Sequence, residues 1–216
     1  MEKKAIDGEI DLVFSDQAGF APTQPTGYTW AQRGTEKRIP YEAPQGRRVN
    51  ASGAYRPYAV GGPTLLVETR PAPRKPRKTT TRKPANPTTE TPINPGTYGA
   101  TEHLAFLRRV AGIPTDAPED FRLARPCVIV QDNYSVHVSA TARAGYLLLA
   151  RHGVIVYQLP SYSPDLNLIE PVWRWIKYLG LYERTYTSLA DIDQAVHRAV
   201  ADFIAMKQYA NLPGSP

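Results

Sequence analysis

The chain has 216 residues and a mass of 24.0 kDa, the size of one ordinary domain with or without an appendage, and its 42% hydrophobic content is enough for a core. No apolar run approaches the roughly eighteen residues of a membrane span, Met1-Glu2-Lys3-Lys4-Ala5-Ile6-Asp7 is charged too early for a secretory signal, and the single Cys127 excludes an internal disulfide framework or thiolate zinc cluster. Lysine and arginine total 26 against 20 acidic residues, net +6, and the expectation is a cytoplasmic protein without membrane contact.

Glu9–Ser15 has strand composition and is expected to end at Asp16. A polar turn containing glycine and proline follows through Gly27, with Tyr28-Thr29-Trp30 and Lys37-Arg38-Ile39-Pro40 beyond it. Arg48–Tyr55 predicts a second short strand between Gly46 and Pro57. After a basic stretch, Thr101 opens a helix with Leu104, Leu107 and Val110 on one face, stopped by Gly112 and Pro114. Cys127–Gln131 reads as a strand buried on both faces and ends at Asp132. Residues 138–152 predict a helix closed by Gly153, and Val154–Leu159 predicts another buried strand closed by Pro160. A helix with Trp173, Ile176 and Lys177 comes next. The last helix starts at Ser188, with Asp191 completing a capping-box variant and Leu189, Ile192, Val196, Val200 and Phe203 at helical spacing. Early strands in a meander, then strands alternating with helices, predict an α/β sheet domain covered by helices.

The charge is concentrated. Arg70–Pro95 holds seven bases (Arg70, Arg74, Lys75, Arg77, Lys78, Arg82, Lys83) and one acid (Glu90), so this segment carries the whole net charge and the rest of the chain is neutral. Seven prolines, six threonines and no aromatic residue leave too little apolar surface to offset the entropy of ordering, which predicts a disordered or polyproline-like insertion. Two readings stand: a solvated spacer, or an arm whose Arg74, Lys75, Arg77, Lys78, Arg82 and Lys83 hold DNA phosphates by counterion release.

Three carboxylates fall where predicted elements end: Asp16, Asp132 and Glu170. Gathered at one sheet edge, they would raise one another's pKa values unless cations neutralised them, and hard oxygen donors suit magnesium or manganese. A pair of such ions about 4 Å apart serves phosphodiester chemistry. Each residue also has a plain structural reading. Asp16 and Asp132 can close Asx turns, and Glu170 can cap a helix, at the cap itself because Pro171 suits the first helical position.

Three motifs in order carry a resemblance. Leu159-Pro160-Ser161-Tyr162-Ser163-Pro164-Asp165-Leu166-Asn167-Leu168-Ile169-Glu170-Pro171-Val172-Trp173 closely resembles the third acidic motif of mariner-like DDE transposases, most of all their bacterial insertion-sequence branch. Val130-Gln131-Asp132-Asn133 with His137 resembles the second. Val13-Phe14-Ser15-Asp16, with Gly27-Tyr28-Thr29-Trp30 and Gly34, resembles the first. The resemblance spans roughly residues 9–60 and 97–205.

It implies a ribonuclease H-like mixed sheet flanked by helices and interrupted by the basic insertion. It further implies two Mg2+ or Mn2+ ions held by Asp16, Asp132 and Glu170, with hydrolysis at the ends of an insertion sequence followed by strand transfer into target DNA. Asn133 and His137 match accompaniments of the second motif; turn hydrogen bonds and a structural donor near a helix start are their plainer roles. The implied partners are double-stranded transposon-end and target DNA and, commonly, a second copy of the chain, in a nucleoid-associated setting. Gln17 stands where the family more often has glutamate. Only a strand's worth of chain precedes Asp16, so a single catalytic domain without an N-terminal helix-turn-helix is expected. The rival readings are a relic that only binds nucleic acid, and a ribonuclease H or Holliday-junction nuclease.

Overall fold

A computed structural model of the chain describes residues 1–23, 32–35, 48–72, 96–182 and 185–210. A short helix α1 (Glu2–Ile6) leads into β1 (Asp11–Phe20), which pairs antiparallel with β2 (Arg48–Arg56); β2 pairs antiparallel with β3 (Thr64–Ala72). On the other side of β1, β4 (Cys127–Gln131) runs parallel to it, and β5 (Val154–Gln158) runs parallel to β4. The sheet order is β3-β2-β1-β4-β5, a meander joined to a parallel pair. This is the mixed sheet flanked by helices that the motifs imply.

Alternation along β1 assigns its two faces. Leu12 and Phe14, with Val128 and Val130 of β4, pack under α4 (Glu170–Trp175) and α5 (Leu189–Ala210), against Trp173, Ile176, Ile192, Val196 and Phe203. Val13 and Ile129 point the other way, onto α2 (Ala100–Val110) and α3 (Ala140–Arg151), against Phe106, Leu107, Val110 and Leu149. The start of α5 is a reciprocal cap: the Asp191 N–H donates to Ser188 Oγ and the Ser188 N–H to the Asp191 carboxylate, both at 3.1 Å.

Several elements depart from the sequence reading. β1 does not end at Asp16; it runs to Phe20, because β2 pairs with every residue from Phe14 to Phe20. Asp16 therefore lies inside a strand. β3 is a strand that the sequence reading does not assign, and Arg70 and Pro71, assigned to the basic insertion, belong to it; a proline is tolerated there because β3 is an edge strand with one outward row of backbone groups. β5, like β3 an edge strand, is buried on one face only, with Ile155 and Tyr157 exposed. The buried side of α2 includes His103 and Phe106, with Leu104 at its margin. Ile169 is the cap of α4 and Glu170 its first helical residue. Gly27-Tyr28-Thr29-Trp30 and residues 73–95 lie outside the described residues.

One contact sets the height of α4 above the sheet. A Cβ at Gly53 would stand 2.6 Å from Trp173 Cη2 and 2.9 Å from Ile169 Cδ1. Gly53 is the cross-strand partner of Asp16, so the gap left by its missing side chain seats the Trp173 ring beside that carboxylate. Gly53→Ala is expected to cost about 1–3 kcal/mol by overpacking and to shift tryptophan fluorescence; an unchanged urea midpoint would mean that the ring is not pinned there.

Candidate active site

Register brings two of the three carboxylates together. Phe14 of β1 pairs with Val130 of β4. Two residues further along the chain from each stand Asp16, still within β1, and Asp132, just past the end of β4. Both line a cavity of about 240 Å³ together with Arg48, Asn50, Tyr98 and Tyr134. Asp132 also lines the adjoining cavity, which Glu170 shares. Glu170 approaches from the helix layer, on α4, the helix seated against Gly53.

Two side chains fasten this third motif to the sheet. The buried Asn167 amide donates to the Ser15 carbonyl at 3.3 Å, tying the turn before α4 to the residue preceding Asp16. The Asn133 amide donates to the Leu159 carbonyl, and the Leu159 N–H to the Gln131 carbonyl at 2.8 Å, so the ends of β4 and β5 are cross-linked. Asn133 thus makes a backbone-fixing bond at the mouth of the site.

The carboxylates are electrostatically unlike. Burial above all, opposed by the backbone N–H of Gln17 and helped by the charges of Glu170 and Asp132, pushes Asp16 up from an ordinary 3.8 to about 7. Asp132 is held below its ordinary value, chiefly by its bond to His137. Its Oδ1 lies 2.8 Å from His137 Nδ1 and accepts from the Tyr134 N–H at 3.2 Å, which is an Asx turn. Since an ionised Asp132 can only accept, His137 Nδ1 carries the proton.

His137 in turn is buried and locked. Its ring stacks on His103 with centroids 4.3 Å apart, and its carbonyl accepts from Tyr146 at 2.9 Å and Gln158 at 3.1 Å. The Tyr146 hydroxyl accepts from the Gln131 amide at 2.7 Å and meets His103 Nε2 at 3.2 Å. Burial, reinforced by the adjacent His137, drives His103 down to about 3, so this stack carries a neutral ring. Sequence reasoning missed His103, Tyr146 and Gln131; the available signal was a histidine on the inward face of a helix that also carries Leu107 and Val110.

Three carboxylate groups beside the end of β4, with Asp16 raised by burial and by its two companions, form a donor set that suits a hard divalent cation. Among the described residues, no three His, Cys, Asp or Glu side chains are gathered tightly enough to enclose one ion as placed. Arg74, Lys75, Arg77, Lys78, Arg82 and Lys83 fall outside the described residues.

Residues 88–193 match the family model described as DDE superfamily endonuclease, a stretch that holds Asp132 and Glu170 and begins after Asp16. That stretch is therefore similar to DDE superfamily endonucleases. The fold of the chain is like that found in solved Mos1 transposase complexes. It is similar to the Mos1 transposase paired-end complex with left transposon end (TM-score 0.52, 13% identity, 92% of this chain and 54% of that one). It is likewise similar to the Mos1 strand transfer complex (0.51, 12%, 92% and 53%) and to a pre-cleavage Mos1 transpososome (0.50, 13%, 92% and 56%). The chain spans about half the length of these transposase chains. The comparison with curated proteins finds no match.

The raised Asp16 binds its proton more tightly folded than unfolded, so its charge costs stability progressively as pH rises from about 4 through about 7. With a chelator present, the parent should melt several degrees lower at about pH 8 than at about pH 5, and Asp16→Asn should flatten that fall. Parallel pH profiles for the two proteins would show that Asp16 is not the group responsible.

Proposed function

We propose that the chain is a DDE transposase catalytic domain of an insertion sequence, cutting and joining DNA strands with two magnesium or manganese ions. The observation that carries this reading is the convergence of three motifs beside the end of β4. Asp16 and Asp132 stand two residues beyond a paired register position, and Glu170 stands on the helix packed against the partner of Asp16.

Asp16, Asp132 and Glu170 would be the metal ligands. Ions held there supply charge neutralisation and Lewis acidity for attack on a phosphodiester. The protein's part is positional. His137 holds Asp132 ionised and fixes its carboxylate plane, so one ligand stays ready near neutral pH. Asn167 and the Trp173–Gly53 contact set the approach of Glu170. Arg48 and Asn50, on the far wall of the first cavity, face the space that a phosphate backbone would enter. Transposon-end and target duplexes are the proposed partners, the cytoplasm the proposed setting, and a dimer the proposed working form.

The basic residues Arg74, Lys75, Arg77, Lys78, Arg82 and Lys83 are proposed to hold further phosphates. Their segment departs and returns at one place: a Cβ at Gly96 would lie 2.5 Å from the Cα of Ala72, so the two backbones touch. Residues 73–95 can therefore be replaced by a short turn with the sheet intact.

A labelled duplex carrying whatever inverted repeats are found beside the coding region should be cut in magnesium by the parent, and not by Asp132→Ala or in the presence of chelator. Binding without cleavage by the parent would leave a nucleic-acid-binding relic as the answer. Replacing residues 73–95 should lower the slope of log affinity against log salt by up to about 0.9 for every phosphate that the segment neutralises. An unchanged slope would reduce the segment to a spacer.

A further inference from the structure

Among the described residues, Tyr162 is the one residue other than glycine with positive φ, at +59°. Its side chain is 102% exposed, wholly in solvent. Both facts are unfavourable for an isolated loop: a bulky residue in the left-handed region is strained, and an aromatic ring in water contributes no packing. Glycine or asparagine would relieve the first and any small polar residue the second.

The loop around it is firmly held. Pro160 and Pro164 restrict the chain on either side. The Asn133 amide secures Leu159, the Leu166 N–H donates to the Ser163 carbonyl at 3.2 Å, and the Asn167 N–H donates to the Pro164 carbonyl at 2.8 Å. Tyr162 is the raised tip of a rigid turn. It borders a cavity of about 360 Å³ whose other walls include Asp132, Tyr134 and Glu170, room enough for an unpaired nucleobase.

We propose that Tyr162 is a stacking platform for an unpaired base of the DNA strand whose phosphodiester lies at the carboxylates. The inference rests on the strand-cutting function proposed above and adds to it a base-binding subsite. A tyrosine face stacks on any base without reading its sequence, and the left-handed backbone is the means by which the ring is lifted over the cavity instead of folding against the loop. The phenolic hydroxyl is not required; the ring is.

The test uses the whole chain and two DNA probes, a blunt duplex and the same duplex with a short single-stranded 3′ overhang containing a fluorescent adenine analogue. Calcium replaces magnesium so that binding is read without cleavage. The parent should bind the overhang duplex roughly tenfold more tightly than the blunt one and quench the analogue. Tyr162→Phe should retain both properties. Tyr162→Ala and Tyr162→Gly should lose both while keeping blunt-duplex affinity, and Tyr162→Gly should melt higher than the parent because the strain is gone. Tyr209→Ala, at an exposed tyrosine near the end of α5, should match the parent. Quenching that survives in Tyr162→Ala, or an equal fall in Tyr162→Phe and Tyr162→Ala, would overturn the subsite and leave the strand-cutting reading standing. No binding of the blunt duplex by the parent would overturn both.

Discussion

The geometry of the site depends on the space beside Gly53. A sheet residue with any side chain at that position would hold α4 away from β1 by the width of a methyl group, and Trp173 could not lie where it does. Since Glu170 is one turn before Trp173 on the same short helix, the distance between the helix-borne carboxylate and the strand-borne ones is set by that contact. Asn167 acts in the same direction through the Ser15 carbonyl. The third motif is thus clamped at two points to residues flanking or facing Asp16.

Behind the carboxylates lies an arrangement in which polar groups are buried in order to hold one another. His137, His103, Tyr146 and Gln131 form a continuous chain between the sheet and the α2–α3 layer, ending at Asp132. Buried polar groups left without partners are costly, and in this set Gln131 Oε1 and His137 Nε2 are the atoms without one, while the bonds that are made favour one arrangement over its neighbours. Asp132 therefore enters the site as a rigid, ionised group, while Asp16, raised by burial and by its companions, is the member most responsive to what binds. One site holds two carboxylates with opposite tendencies.

The sequence disclosed the motifs and their order with little ambiguity, because each is local: Asp132 does end a strand, Glu170 does open a helix, and the Ser188–Asp191 cap forms as its spacing requires. It did not disclose where β1 ends, since nothing in Asp16-Gln17-Ala18-Gly19-Phe20 marks a strand until β2 supplies its partner. Leu65, Leu66, Val67 and Thr69 of β3 do have strand composition, and only the end of that strand was hidden. An edge strand accepts Pro71 and Arg70, so its composition merges into the basic stretch beyond it. Exposure on β5 was equally illegible, because a run of Val154-Ile155-Val156-Tyr157 looks the same whether one face or two are covered. His103 became a site residue only when α2 packed against α3 and set its ring on His137.

The touching backbones of Ala72 and Gly96 make that junction a natural port in the architecture. Loop-closure entropy rises only slowly with length, and the anchor points are already in place, so cargo of many sizes should be accommodated there without disturbing the β3 edge. A fluorescent reporter, or a module that reads a chosen DNA sequence, could be spliced between these two residues, giving an engineer a grafting point on the scaffold.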